Sequence, residues 1–232
     1  KVTGVQTCAL PIWVLHHLIV VNLGRRMLLY PAYERIFGAG SETDDISLPR
    51  SVGVPVSAGL PLGIYLGWHN ETGRPLDQVF LTLTLTWSPK TQVPAPISVL
   101  PIYMDVNFHV AGSNTFDVPP GRVDKTWDFT MPTGGRLLGV GGHLHDFGES
   151  VRLEDGESGK LLTAVRARRD REGRVRSVGR SLFGVTGDGL PMVAGRRYRV
   201  IGRYDNPTGV LRTRGAMARS EEHTSELQSP CN

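Results

Sequence analysis

Eight residues, Phe80-Leu81-Thr82-Leu83-Thr84-Leu85-Thr86-Trp87, alternate apolar and threonine side chains almost without a break. A period of two is the period of a strand, in which successive side chains point to opposite faces. One face is then apolar and the other polar, as in a half-buried antiparallel strand. Strand-like runs recur along the chain. Trp13–Val21 reads as a buried strand, and Leu62–His69 as another, closed by a turn at Asn70–Pro75. Further strands are expected at 97–110, 114–118, 125–131, 136–145, 149–154, 160–167, 174–183, 196–204 and 210–217. The chain's 28 glycines and 16 prolines punctuate these runs at short spacing. Tyr30–Ala39 is the one helix candidate. Many short strands with regular turns predict an all-β protein. The length suits two tandem jelly-roll β-sandwich domains of roughly 100 residues each. The proline-rich stretch Ser88–Pro101 is the natural boundary, dividing the chain into 13–95 and 96–218.

The two ends are set apart by their coding possibilities. Val2–Ile12 and Arg219–Ser229, eleven residues each, can be encoded by the two complementary strands of one oligonucleotide. That oligonucleotide resembles a high-throughput sequencing adapter. Residues 1–12 and 219–232 are therefore read as adapter-derived and excluded from fold reasoning. On this reading the opening strands of the first sandwich are missing, and both tails are expected to stay out of the sheets.

Both cysteines, Cys8 and Cys231, lie in those tails, so residues 13–218 offer no disulfide and no thiolate ligand. The same residues carry 24 Lys and Arg against 19 Asp and Glu. The densest basic run, Arg166–Arg180, alternates with apolar residues, which describes a solvated strand face rather than a nucleic-acid patch. Nucleic acid is accordingly not an expected partner. The apolar run Ile12–Leu23 is too short to span a bilayer and contains two histidines, so no stable membrane insertion is expected.

The chemistry-bearing residues are histidines. Gly141-Gly142-His143-Leu144-His145-Asp146-Phe147-Gly148 follows one apolar run and precedes another. In a strand, His143 and His145 share a face, about 6.5–7 Å apart along the chain, with Leu144 turned the opposite way. Such a pair suits a solvated strand face or two ligands of one metal ion. His16 and His17 are adjacent, so a regular strand sends them to opposite faces. Joint ligation needs a bulge or a strand end. His69 closes its strand beside Trp68. His109 has no partner by spacing and reads as structural. Met217 reads, by residue type alone, as a core side chain.

The order His-His, a histidine at a strand end, His-x-His and then a distant Met resembles that of the copper type II, ascorbate-dependent monooxygenases. This family includes the peptidylglycine α-hydroxylating and dopamine β-monooxygenases. The run GIYLGWHNETGRPLDQVFLTLTL around His69 is similar to the family's strand, ligand, loop and next strand. Ile102-Tyr103-Met104 followed by Val118-Pro119-Pro120-Gly121 resembles the start of its second domain. Bacterial members carry stretches like GGHLHDFG and YDNPTG…GAM. The resemblance covers residues 13–218. It implies two jelly rolls facing each other across a cleft, with two copper ions, one per domain. His16, His17 and His69 would hold the first ion, which supplies electrons. His143, His145 and Met217 would hold the second, where substrate is hydroxylated, and are the implied catalytic residues. A small-molecule substrate, an ascorbate-like reductant and a periplasmic or secreted location are also implied. The ligand types suit copper: imidazole binds both its states, and a thioether favours Cu(I). Zinc stays open at His143 and His145, although Met is a poor zinc ligand.

The chain departs from the animal enzymes in two respects. Residues 13–218 contain no cysteine, and Gly141 stands where the peptidylglycine enzymes carry an arginine that helps hold the substrate carboxylate. Peptide-amide substrates are therefore not expected. Three functional classes remain: a copper monooxygenase, a copper-binding protein without turnover, and a jelly-roll binding or structural module without metal.

Overall fold

The threonine–leucine strand forms as its alternation requires. In Phe80–Trp87, Leu81, Leu83 and Leu85 pack against a buried cluster while the intervening threonines face solvent. The computed structural model describes residues 2–10, 14–43, 46–47, 51–70, 72–77, 79–89, 91–108, 115–183, 189–220 and 225–226. Among them the chain is nearly all β, in several small sheets, with no helix. No helix of the described residues is long and apolar enough to cross a membrane. His109 lies outside the described residues.

Two hydrophobic cores organise the chain. The first gathers Leu15, Leu18, Val20, Ile36, Phe37, Val52, Val54 and Val99. Its main sheet runs Tyr33–Ala39, Leu15–Arg26, Leu62–Trp68, all antiparallel. The second runs from Ile102 to Tyr204 and includes Val106, Val118, Met131, Leu144, Val151, Tyr198 and Val200. Its main sheet has five strands in the order Gly121–Thr130, Arg197–Asn206, Gly148–Asp155, Leu161–Arg169, Val175–Val178. The hand-over falls between Val99 and Ile102, at the end of the proline-rich stretch. The cores also trade side chains. Leu138 sits in the first core, while Leu28 and Leu29 pack against the second.

Two expectations are corrected. Tyr33–Ala39 is a strand, not the predicted helix. Ten residues are too few for a helix to stand on its own hydrogen bonds, and Leu15–Arg26 offers a full antiparallel edge beside it. The strand buries Glu34, whose carboxylate accepts from Asn22 (3.0 Å) and pairs with Arg25 (2.6 Å). The tails also enter sheets. Val2–Leu10 pairs antiparallel with Phe80–Trp87, Ala218–Ser220 lies between His143–Leu144 and Met104–Asp105, and Ser225–Glu226 pairs with Gly135–Leu137. An open strand edge accepts any extended segment, because its unpaired N–H and C=O groups carry no sequence requirement. The complementarity of the two coding strands is a property of the sequence and is untouched by this pairing.

The outer face of the five-stranded sheet is laced by ion pairs. Arg199 makes two hydrogen bonds to Asp128 (2.6 and 2.8 Å), and Arg203 two to Asp124 (2.7 and 2.6 Å). Asp155 closes the turn after Gly148–Asp155, accepting from Ser158 N–H (2.8 Å), Ser158 Oγ (2.9 Å) and Glu157 N–H (3.1 Å), with Arg196 at 2.5 Å. These bonds, the Ser158 N–H first among them, hold the Asp155 carboxyl well below the ordinary carboxylate range. Arginine hydrogen bonds lower Asp124 and Asp128 likewise. A depressed folded-state value contributes stability above the unfolded value, about pH 4, and loses it as pH falls through the folded value. Asp155→Asn should therefore destabilise the chain at pH 7. The difference from wild type should shrink in denaturant titrations run at successively lower pH below 4. A difference independent of pH would contradict this.

Candidate metal centre

Residues from both cores meet in a cleft of about 610 Å³ whose lining includes His16, Glu42, His69, His143, His145 and Arg174. The first histidines are brought together by a slip in strand register. Leu15 pairs with Trp68, but His17 pairs with Gly67, so His16 is the extra residue of a β-bulge. The bulge allows the two adjacent rings to turn to one side, with centroids 3.9 Å apart. Beyond the slip, His69 N–H donates to Val14 C=O (2.8 Å), which sets the His69 ring 5.8 Å from that of His16.

The second pair comes from the short strand His143–Leu144 and the turn after it. Leu144 is buried in the second core, as the alternation requires, and His143 and His145 lie with centroids 5.1 Å apart. The turn closes by Gly148 N–H donating to His145 C=O (3.0 Å). Gly148 is needed there, since a Cβ would lie 2.8 Å from Leu144 Cβ and 2.9 Å from the His145 carbonyl oxygen. Phe147 takes a left-handed conformation, φ 67°, that costs a non-glycine residue about 1–2 kcal/mol. Its backbone is held on both sides: its N–H donates to Gly173 C=O (2.7 Å), and its C=O accepts from Asp205 N–H (2.9 Å) and Arg169 (3.2 Å).

The five rings form one cluster. His17 Nε2 and His143 Nε2 are 3.0 Å apart, and both residues are buried. His145 stands 5.2 Å from His16 and 5.9 Å from His17, centroid to centroid. His16, His17 and His145 each offer a ring nitrogen, all within 4.8 Å of one another. Two nitrogens bound to a common ion at about 2.0–2.1 Å lie about 2.9–3.4 Å apart for bond angles between square and tetrahedral. The His17–His143 separation falls in that range. A donor set rich in imidazole suits the later first-row transition metals, whereas Mg²⁺ and Ca²⁺ require mainly oxygen. The residues thus fit a nitrogen-preferring metal ion.

Close ring approaches cut across the grouping implied by the family resemblance. There His16, His17 and His69 form one set, and His143, His145 and Met217 another. In the structure His145 approaches His16 and His17, His143 approaches His17, and His69 approaches His16 alone among the ring pairs described. Met217 arrives through its backbone. His143 pairs with Arg219 and Leu144 with Ala218, so the register sets His145 opposite Met217. The Tyr204 hydroxyl joins them, accepting from His145 N–H (3.1 Å) and donating to the Met217 carbonyl. The Met217 side chain is half-buried.

Two residues of the site went unnoticed in the sequence. Tyr204, fully buried, opens the YDNPTG stretch, Tyr204–Gly209, but carried no ligand signal of its own. Glu42 had no signal at all. Its carboxylate lies against His143 Nδ1, with both side chains less than a tenth exposed. No protein-family model and no curated protein matches this chain.

Tyr204→Phe should cost about 1–3 kcal/mol in denaturant unfolding, because it leaves the His145 N–H and the Met217 carbonyl without the hydroxyl between them. A loss below about 0.5 kcal/mol would mean that water replaces the hydroxyl without penalty.

Proposed function

We propose that this chain is a copper-dependent, monooxygenase-like protein that hydroxylates a C–H bond of a small molecule, using O₂ and an external reductant such as ascorbate. The observation that carries the reading is the convergence of the five family-like histidines, four lining one cleft and His17 buried against His143 behind it, with the Met217 backbone beside His145. On this reading the two cores are the two jelly rolls and the protein works in the periplasm or outside the cell. His16, His17 and His69 hold one copper ion; His143, His145 and Met217 hold the other and are the catalytic set. When bound, copper supplies one-electron chemistry and O₂ activation. The chain's own part is to fix the ring nitrogens, shield them within the cleft, and admit substrate beside His145. Arg174 and Arg176 at the cleft wall are exposed and reach solvent.

A second reading has an observation of its own. The 3.0 Å between His17 and His143 is a distance for one shared ion, and two independent ions would need the halves to part. A copper-binding protein without turnover would use such a merged centre.

Copper titration and oxygen uptake separate these readings. Two ions per chain with ascorbate-dependent O₂ consumption is the expected result. One ion without O₂ consumption favours the second reading, and no copper uptake removes both. Met217→Ala should weaken Cu(I) retention and abolish O₂ consumption while leaving a histidine-bound Cu(II) signal. Unchanged O₂ consumption in that variant would mean that Met217 is not the third ligand.

A further inference from the structure

We propose that Glu42 is a positioning residue that commits His143 to bind metal through Nε2. The proposal rests on reading the histidine cluster as a metal centre and adds a residue that the family likeness does not supply.

The Glu42 carboxylate meets His143 Nδ1 with side-chain exposures of 8% and 5%. An ionised carboxylate only accepts hydrogen bonds, so Nδ1 carries the proton. In the neutral ring the lone pair is then on Nε2, the nitrogen that lies 3.0 Å from His17 Nε2. The two ring nitrogens point apart, so Glu42 stands on the far side of the imidazole from the shared nitrogens. It acts on the ion through the ring. Carboxylates set behind metal-bound imidazoles do this: they fix the tautomer and raise the basicity of the ligating nitrogen.

The chain around Glu42 is shaped for this contact. Thr43 N–H donates to Gly40 C=O (3.1 Å), and Gly40 N–H donates to Thr43 Oγ1 (2.9 Å). This turn, just past the strand Tyr33–Ala39, folds the carboxylate back over Gly40. A Cβ there would fall 2.8 Å from Glu42 Oε1 and 2.9 Å from Cδ, so a side chain at residue 40 would displace the carboxylate from this position. The strand leading to Glu42 contributes Ile36 and Phe37 to the first core, while Leu144, next to His143, belongs to the second. The orientation of one metal-facing ring thus depends on a carboxylate supplied by the other half of the chain.

The test uses the 232-residue chain, first without metal. Long-range ¹H–¹⁵N correlation at mildly alkaline pH should show His143 in the Nδ1–H form. Glu42→Ala should shift it toward a mixture with the Nε2–H form. Glu42→Gln, which keeps a carbonyl acceptor of the same length, should retain the Nδ1–H form and so separate orientation from loss of fold. In a chelator competition, Glu42→Ala should bind Cu(II) about 10–100-fold more weakly than wild type, and Glu42→Gln should lose less. An unchanged His143 tautomer in Glu42→Ala overturns the proposal, whatever the metal does. A tautomer fixed by Glu42 in a wild-type chain that takes up no copper would overturn the metal reading and leave the orientation standing.

Discussion

A one-residue slip between Leu15–Arg26 and Leu62–Trp68 determines what the site can be. Without it His16 and His17 would face opposite sides of a sheet, one in the first core and one in solvent. With it, both rings turn toward the second half of the chain, and His69 follows from the partner strand at the same end of the pair. The bulge converts a run that reads as core into an edge of the cleft. Leu15 and Leu18 stay on the buried side, each about 1% exposed or less, and anchor the strand in which the slip occurs.

The two cores hold the cluster from opposite sides and are fastened to each other by more than the histidines. Leu138, immediately before the strand Gly139–Val140 that leads to His143, crosses into the first core. On the other flank, Tyr30 from the first half is gripped by Asp105 from the second: its hydroxyl accepts from Asp105 N–H (3.0 Å) and stacks its ring with Trp127. Burial raises the Tyr30 phenol far above its usual value, so it stays a neutral hydrogen-bonding group there. Glu42 reaching His143 belongs to the same set of crossing contacts. Interlocked cores of this kind favour one fixed arrangement of the rings. That arrangement suits a preorganised centre.

Much of the fold was legible because a period of two is visible in the chain itself. Phe80–Trp87, Ser150–Leu153 and Val200–Tyr204 could each be read as strands, and Leu144 as a core residue between two histidines. Tyr33–Ala39 was not legible. Its character comes from a neighbouring strand edge that no local pattern announces. The bulge at His16 was legible only as a condition: adjacent histidines could converge if a slip occurred, but register depends on the partner strand. Glu42 lay outside any pattern, since its role comes from a turn at Gly40 and a residue 101 positions away. The family resemblance implied two sets of three ligands, the second completed by Met217. Their rings mix because sequence order does not record which rings the approach of the two cores brings together.

The central claim is that histidines of both cores bind copper at the cleft, one ion to each set. Counting the imidazoles around Cu(II) in the fully loaded chain, by pulsed electron paramagnetic resonance or X-ray absorption, tests it most directly. Two ions per chain are expected, one with the rings of His16, His17 and His69 and one with those of His143 and His145. His16→Ala should remove a ring from the first ion alone, and His145→Ala from the second alone. A single ion that loses a ring in both variants would contradict the claim.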